Sequence, residues 1–115
     1  MGHLSTHVLD TARGCPAAGV QVALYRGGEP TPLREITTNA DGRADGPLLV
    51  GEAFQPGAYR LVFQVGRYFA TTPVAQSDPP FLDVVEVRFQ VADAGQNYHV
   101  PLLVSPWSYT TYRGS

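Results

Sequence analysis

Val85, Val87, Phe89 and Val91 alternate strictly with Glu86, Arg88 and Gln90. A period of two puts one set on each face of an extended chain, so this segment predicts a β-strand with one face buried and one in water. The same alternation recurs along the chain. Leu4–Asp10 reads as a first strand and Val20–Tyr25 as a second, with Val20, Val22 and Leu24 on one face. Leu33–Thr38 and Leu48–Val50 are short candidates. Ala58–Val65, Tyr98–Ser105 and Ser108–Tyr112 complete the set, and Gly66–Thr72 suits one or two helical turns. Pro101 falls inside the Tyr98–Ser105 strand; it has no N–H to give a ladder, so it marks an edge or a bulge. Turn signals separate the runs: Thr11–Pro16, Gly27–Pro30, and Asn39-Ala40-Asp41-Gly42, where Asn and Gly are both available for positive φ. The chain carries 12 Gly and 10 Pro in 115 residues, well above a combined background of roughly 12%. Both are poor in helix interiors, which argues against a bundle. About eight short strands, one helical segment and enough apolar residues for one core predict an all-β antiparallel sandwich, a single domain over residues 1–115.

Charge excludes several functions. Eight basic and ten acidic residues give a net charge of -2, with no basic patch for a phosphate backbone, so no nucleic-acid partner is expected. All eight basic residues are Arg, which removes chemistry that needs a side-chain amine: Schiff bases, a P-loop lysine, a Lys–Asn crosslink. The single cysteine, Cys15, permits no internal disulfide and suits a reducing, cytoplasmic setting. No signal peptide is visible, and the apolar runs are too short to span a bilayer, so no membrane partner is expected.

The titratable groups are few. His3 and His7 have the i, i+4 spacing that suits a metal on a helix, but on a strand it spans roughly 13 Å, too far for one ion. No metal site and no cofactor are expected. His7 and His99 each lie within a predicted strand, and Arg43 directly follows the Asn39–Gly42 turn. Taken singly, a strand histidine is a packing residue, an arginine after a turn is a surface charge, and Tyr112-Arg113-Gly114-Ser115 is a chain end that frays.

Taken together these segments resemble a family. Leu4-Ser5-Thr6-His7-Val8-Leu9-Asp10 is similar to the N-terminal signature of the 5-hydroxyisourate hydrolases, the transthyretin-like enzymes of urate breakdown in purine metabolism. Thr38-Asn39-Ala40-Asp41-Gly42-Arg43 resembles their arginine-bearing turn. Tyr98 to Pro106, with Tyr112-Arg113-Gly114-Ser115, resembles their C-terminal signature. The resemblance runs from Leu4 to Ser115. Two departures stand out: Asn97 occupies a position where many members carry histidine, and Ser77–Asp83 replaces the usual aromatic–proline run.

The resemblance implies a transthyretin-like sandwich and hydrolysis of 5-hydroxyisourate to 2-oxo-4-hydroxy-4-carboxy-5-ureidoimidazoline without a metal. It implies His7, Arg43, His99 and Ser115 as catalytic residues. His7, Arg43, Tyr112 and Arg113 would bind the small-molecule substrate. The two histidines share base and proton-shuttle roles, Arg43 holds a carbonyl oxygen, and Ser115 orients a water or an imidazole through its hydroxyl or carboxylate. It further implies a homotetramer with sites between dimers. The alternative on the same fold is a small-ligand carrier without catalysis, because fold alone does not choose between the two.

Overall fold

The computed structural model describes Met1 to Ser115. Nine strands and one short helix follow in chain order: β1 His3–Asp10, β2 Cys15–Pro16, β3 Gln21–Arg26, β4 Arg34–Thr37, β5 Leu49–Val50, β6 Gly57–Gln64, α1 Val65–Ala70, β7 Val84–Val91, β8 Tyr98–Val104 and β9 Tyr109–Thr110. One sheet has the order β2-β1-β8-β9, with β5 also paired to β1; the other has the order β4-β3-β6-β7. The alternation sets which side chains meet between them. Leu4 and Val8 of β1, and Tyr98, Val100, Leu102 and Val104 of β8, face Val22, Leu24, Tyr59, Leu61, Phe63, Val85, Val87 and Val91 of the second sheet in one buried cluster. Thr6 lies in this layer and donates its hydroxyl to the Val100 carbonyl at 2.7 Å, so the buried polar group is satisfied.

Two features depart from the sequence-based expectation. Cys15–Pro16 forms a strand rather than part of a turn, pairing Asp10 with Cys15 and Leu9 with Pro16; two residues are too few to carry a period. The sandwich is also not wholly antiparallel. β1 and β8 run parallel, with Ser5 beside His99 and His7 beside Pro101. Alternation in one strand is identical for either direction of its neighbour, so it carries no information about this. The two strands lie at opposite ends of the chain, and no tight turn constrains their direction.

Pro101 marks a gap in the ladder rather than a bulge: His99 pairs with Gly114 and Leu103 with Thr110 in one unbroken register, and the pairing lapses between them where the proline has no N–H to give. The His99 N–H and carbonyl both bond Gly114, so Pro101, two residues on, faces the same C-terminal segment. That segment bows away there, and the Thr111 hydroxyl donates to the Pro101 carbonyl at 2.7 Å. At the far end of β1, Asp10 is buried and ties the strand to α1. It accepts from the Ala12 and Arg13 N–H groups, from the Arg13 guanidinium at 3.0 Å and from the Tyr68 hydroxyl at 2.7 Å. Burial pushes its carboxyl up, but the bonds from Tyr68 and Arg13 outweigh that and hold it below the usual carboxylate range. Val65, Tyr68 and Phe69 bury one side of α1. No helix is long and apolar enough to cross a membrane.

Candidate active site

The residues of β1 and β8 that face away from the core include Ser5, His7 and Leu9, with His99, Pro101 and Leu103 beside them. Parallel pairing in this register brings His7 and His99 onto one face, their ring centroids 6.4 Å apart and their planes tilted by 46°. Both are half-buried. His3 lies on β1 beside Val50, four residues from His7. No group of three or more His, Cys, Asp or Glu side chains converges as a metal cluster.

Arg43 reaches this face through its turn. Between the short partners β5 and β2, the edge of β1 is filled by residues 42–43. His7 and Arg43 form an antiparallel bridge, and the Val8 N–H donates to the Gly42 carbonyl at 2.8 Å. Asn39 closes the turn from below. Its side-chain oxygen accepts from the Asp41 and Arg43 N–H groups at 2.9 and 3.1 Å, an Asx-type cap. Only Gly42 has positive φ in the turn, at 75°; no non-glycine residue of the chain does. A Cβ at Gly42 would stand 2.3 Å from the Val8 carbonyl oxygen, so this is the one residue type that lets the turn dock on β1.

Each imidazole has one fixed partner. His7 Nε2 lies 2.8 Å from the Asp41 carbonyl oxygen. A carbonyl only accepts, so His7 Nε2 donates. A neutral His7 therefore keeps its lone pair on Nδ1. His99 Nδ1 lies 2.8 Å from the Ser5 hydroxyl. Burial, and then the charges of Arg43 and His7, hold His99 below the ordinary imidazole value, which favours its neutral form.

The C-terminal segment borders His99. Gly114 exchanges two backbone hydrogen bonds with it, at 3.1 and 2.7 Å. The place a Gly114 Cβ would occupy is 3.2 Å from His99 Cβ and 3.5 Å from Tyr112 Cε1, so the absent side chain lets Tyr112 and His99 flank the same spot. Ser115 follows directly and is exposed. Arg113 turns elsewhere: its guanidinium donates to the Gln96 side chain at 2.9 Å and lies over the Tyr98 ring, 4.3 Å from the centroid. The structure thus gathers His7, Arg43, His99 and Tyr112, sets Ser115 beside them, and directs Arg113 to the opposite side of β8. Sequence reasoning missed Ser5 and the Asp41 carbonyl. The alternation already put Ser5 on the face of His7; their partners depend on register.

A two-sheet sandwich presenting two hydrogen-bonded imidazoles and a guanidinium on a sheet face defines a small β-domain equipped for acid–base chemistry on a polar small molecule. The family model for the HIUase/transthyretin family matches residues 4–114, and the chain belongs to that family. It is 56% identical to the 5-hydroxyisourate hydrolase of Ralstonia nicotianae over the whole of both chains. The structure of Klebsiella pneumoniae 5-hydroxyisourate hydrolase superposes with a TM-score of 0.83 at 34% identity, covering all of both chains. An (S)-allantoin synthase structure gives a TM-score of 0.94 at 46% identity, matching 99% of this chain but 44% of that one.

Proposed function

We propose that the protein is an enzyme that hydrolyses 5-hydroxyisourate in urate degradation. The observation that carries this reading is the convergence of His7, His99 and Arg43 on one sheet face, in a chain whose full-length relative at 56% identity is a 5-hydroxyisourate hydrolase. The non-catalytic carrier is not favoured, because it gives no reason for two imidazoles to be held by dedicated partners. The substrate is a planar, electron-poor ring with several carbonyls. Water adds to an activated ring carbonyl, a neutral imidazole takes its proton, and the Arg43 guanidinium faces the oxygen that gains charge. Ser115 and Tyr112 border the bound ring from the C-terminal segment, while Arg113 acts by pinning that segment to Tyr98.

The site lies on an open face. A groove of about 400 Å³ lies instead on the other sheet, lined by Gln21, Tyr25, Glu35 and Gln64 among others. Enclosing a substrate over His7 and His99 therefore calls for a second surface. A homotetramer with its sites between dimers supplies one. This assembly is supported by the exposed Phe81, Val84, Trp107 and Tyr109, with the Phe81 and Trp107 rings 5.9 Å apart beside the free edges of β7 and β9. The single cysteine suits a cytoplasmic location for this one-domain enzyme.

The test couples urate oxidase to the purified protein and follows the absorbance of the transient oxidation product. Decay well above the spontaneous rate supports the hydrolase; an unchanged rate with a protein that sediments as a tetramer overturns it.

A further inference from the structure

The two imidazoles are anchored in chemically different ways, and the difference assigns their roles. His7 donates through Nε2 to a backbone carbonyl, an obligate acceptor, so its open nitrogen is Nδ1. His99 meets a hydroxyl through Nδ1, leaving Nε2 open. A hydroxyl can give or take a hydrogen bond. His99 Nδ1 is the one protein group within hydrogen-bond distance of the Ser5 hydroxyl, so donation to it pairs the Ser5 proton inside the protein, whereas acceptance would leave that proton to solvent. Ser5 and His99 are also cross-strand neighbours in the parallel ladder, which fixes their approach at the level of the backbone.

We propose that Ser5 is a positioning residue for the reaction: its hydroxyl donates to His99 Nδ1 and holds the ring as the Nε2–H tautomer, so that His99 donates to the substrate carbonyl oxygen while His7 Nδ1 takes the proton from water. This rests on the hydrolase reading above and divides the labour within it. A water oxygen bonds to the ring carbonyl carbon as its proton passes to His7 Nδ1. The carbonyl π pair moves onto oxygen, which Arg43 and the His99 Nε2–H share. When the carbonyl re-forms, the C–N bond breaks and the nitrogen leaves with its electron pair, receiving the proton held on His7. The new carboxyl then ionises to solvent. Burial and the neighbouring charges favour the unprotonated form of His99, the state in which an imidazole polarises a carbonyl without carrying charge.

The test reads the tautomer and the kinetics separately. In a ¹⁵N–¹H correlation spectrum of the whole protein near neutral pH, the attached proton of His99 is expected on Nε2, and Ser5→Ala should convert the ring to a mixture of tautomers. The same variant should lower kcat about tenfold, the effect of one orienting hydrogen bond, with KM within about twofold. Ser5→Thr, which keeps the hydroxyl and suits a strand, should restore both. A proton on Nδ1 of His99 in the wild-type protein overturns the proposal. So does wild-type kcat in Ser5→Ala, or failure of Ser5→Thr to recover while it folds normally. Because the spectrum needs no substrate, a wild-type protein inactive on 5-hydroxyisourate with the expected tautomer sinks the hydrolase reading and leaves the Ser5 assignment standing.

Discussion

Replacing Gly42 with alanine adds one methyl group and should damage both stability and catalysis. The residue sits at φ 75°, where a side chain costs ~1–2 kcal/mol. Its Cβ would lie 2.3 Å from the Val8 oxygen, whereas ordinary contact begins at 3.4 Å, so the turn must back away from β1 by about 1 Å. That retreat loosens two hydrogen bonds, Val8 N–H to Gly42 and Ala17 N–H to Val8, worth ~1 kcal/mol each. The expected destabilisation is about 3–4 kcal/mol by urea denaturation. Arg43 moves with the turn, and a misplacement of about 1 Å in a group that binds the reacting atoms costs roughly 100-fold in kcat/KM. Gly14→Ala isolates the backbone term. It too has positive φ, 69°, but its Cβ would meet nothing within 4 Å, so it should lose only ~1–2 kcal/mol and keep full activity. A Gly42→Ala enzyme no worse than Gly14→Ala in both respects would refute the docking argument.

Arg43→Lys keeps the charge and loses the planar fork; kcat/KM should fall by the equivalent of ~2–4 kcal/mol with circular dichroism unchanged, and near-normal kinetics would reduce Arg43 to a surface residue. His7→Asn and His99→Asn should each suppress turnover while His3→Asn does little, and the double variant should be scarcely worse than the poorer single one if the two rings act as a unit; additive losses in steady-state kinetics would show independence. Deleting Arg113 to Ser115 removes both Gly114–His99 backbone bonds and the Arg113–Tyr98 contact, so most activity should vanish with secondary structure retained; a fully active truncated protein contradicts this. Asp10 titrates lower folded than unfolded, so its contribution is complete above its unfolded pKa and is lost as pH falls through the folded one; Asp10→Asn should cost ~2 kcal/mol at pH 7 and flatten the acid limb of stability below about pH 4, and an unaltered acid limb in denaturation curves counts against the role given to Asp10.

Alternation and punctuation were enough to read the strands to within one or two residues, because half-buried strands must repeat every second residue. β6 and β7 were the plainest. The Asn39–Gly42 turn was also legible, although its mechanism differs from the expected one: Asn39 acts through its side chain, and Gly42 alone takes positive φ. The direction of β8 relative to β1 was not legible, nor was the Ser5–His99 pairing that follows from it. Direction and register depend on how two distant segments dock, and no local propensity encodes that. Arg113 illustrates the same limit: its neighbour Gly114 reaches His99, yet its own side chain crosses to Gln96 and Tyr98.

Ser5 and His99 meet across 94 positions of sequence, so their contact closes one of the longest loops the chain can form. Loop closure of that kind is slow and comes only after intervening pairings shorten the effective path. The β3–β4 hairpin can form from a local encounter, and β6 and β7 pair across the connection that holds α1; the catalytic face has no such local route. A nascent chain emerging from its N-terminus holds β1 unpaired with β8 until nearly the whole sequence has been made, and no fragment lacking either end carries the histidine pair. Regain of activity on refolding therefore reports completion of the entire sandwich, and it should trail the recovery of secondary structure rather than accompany it.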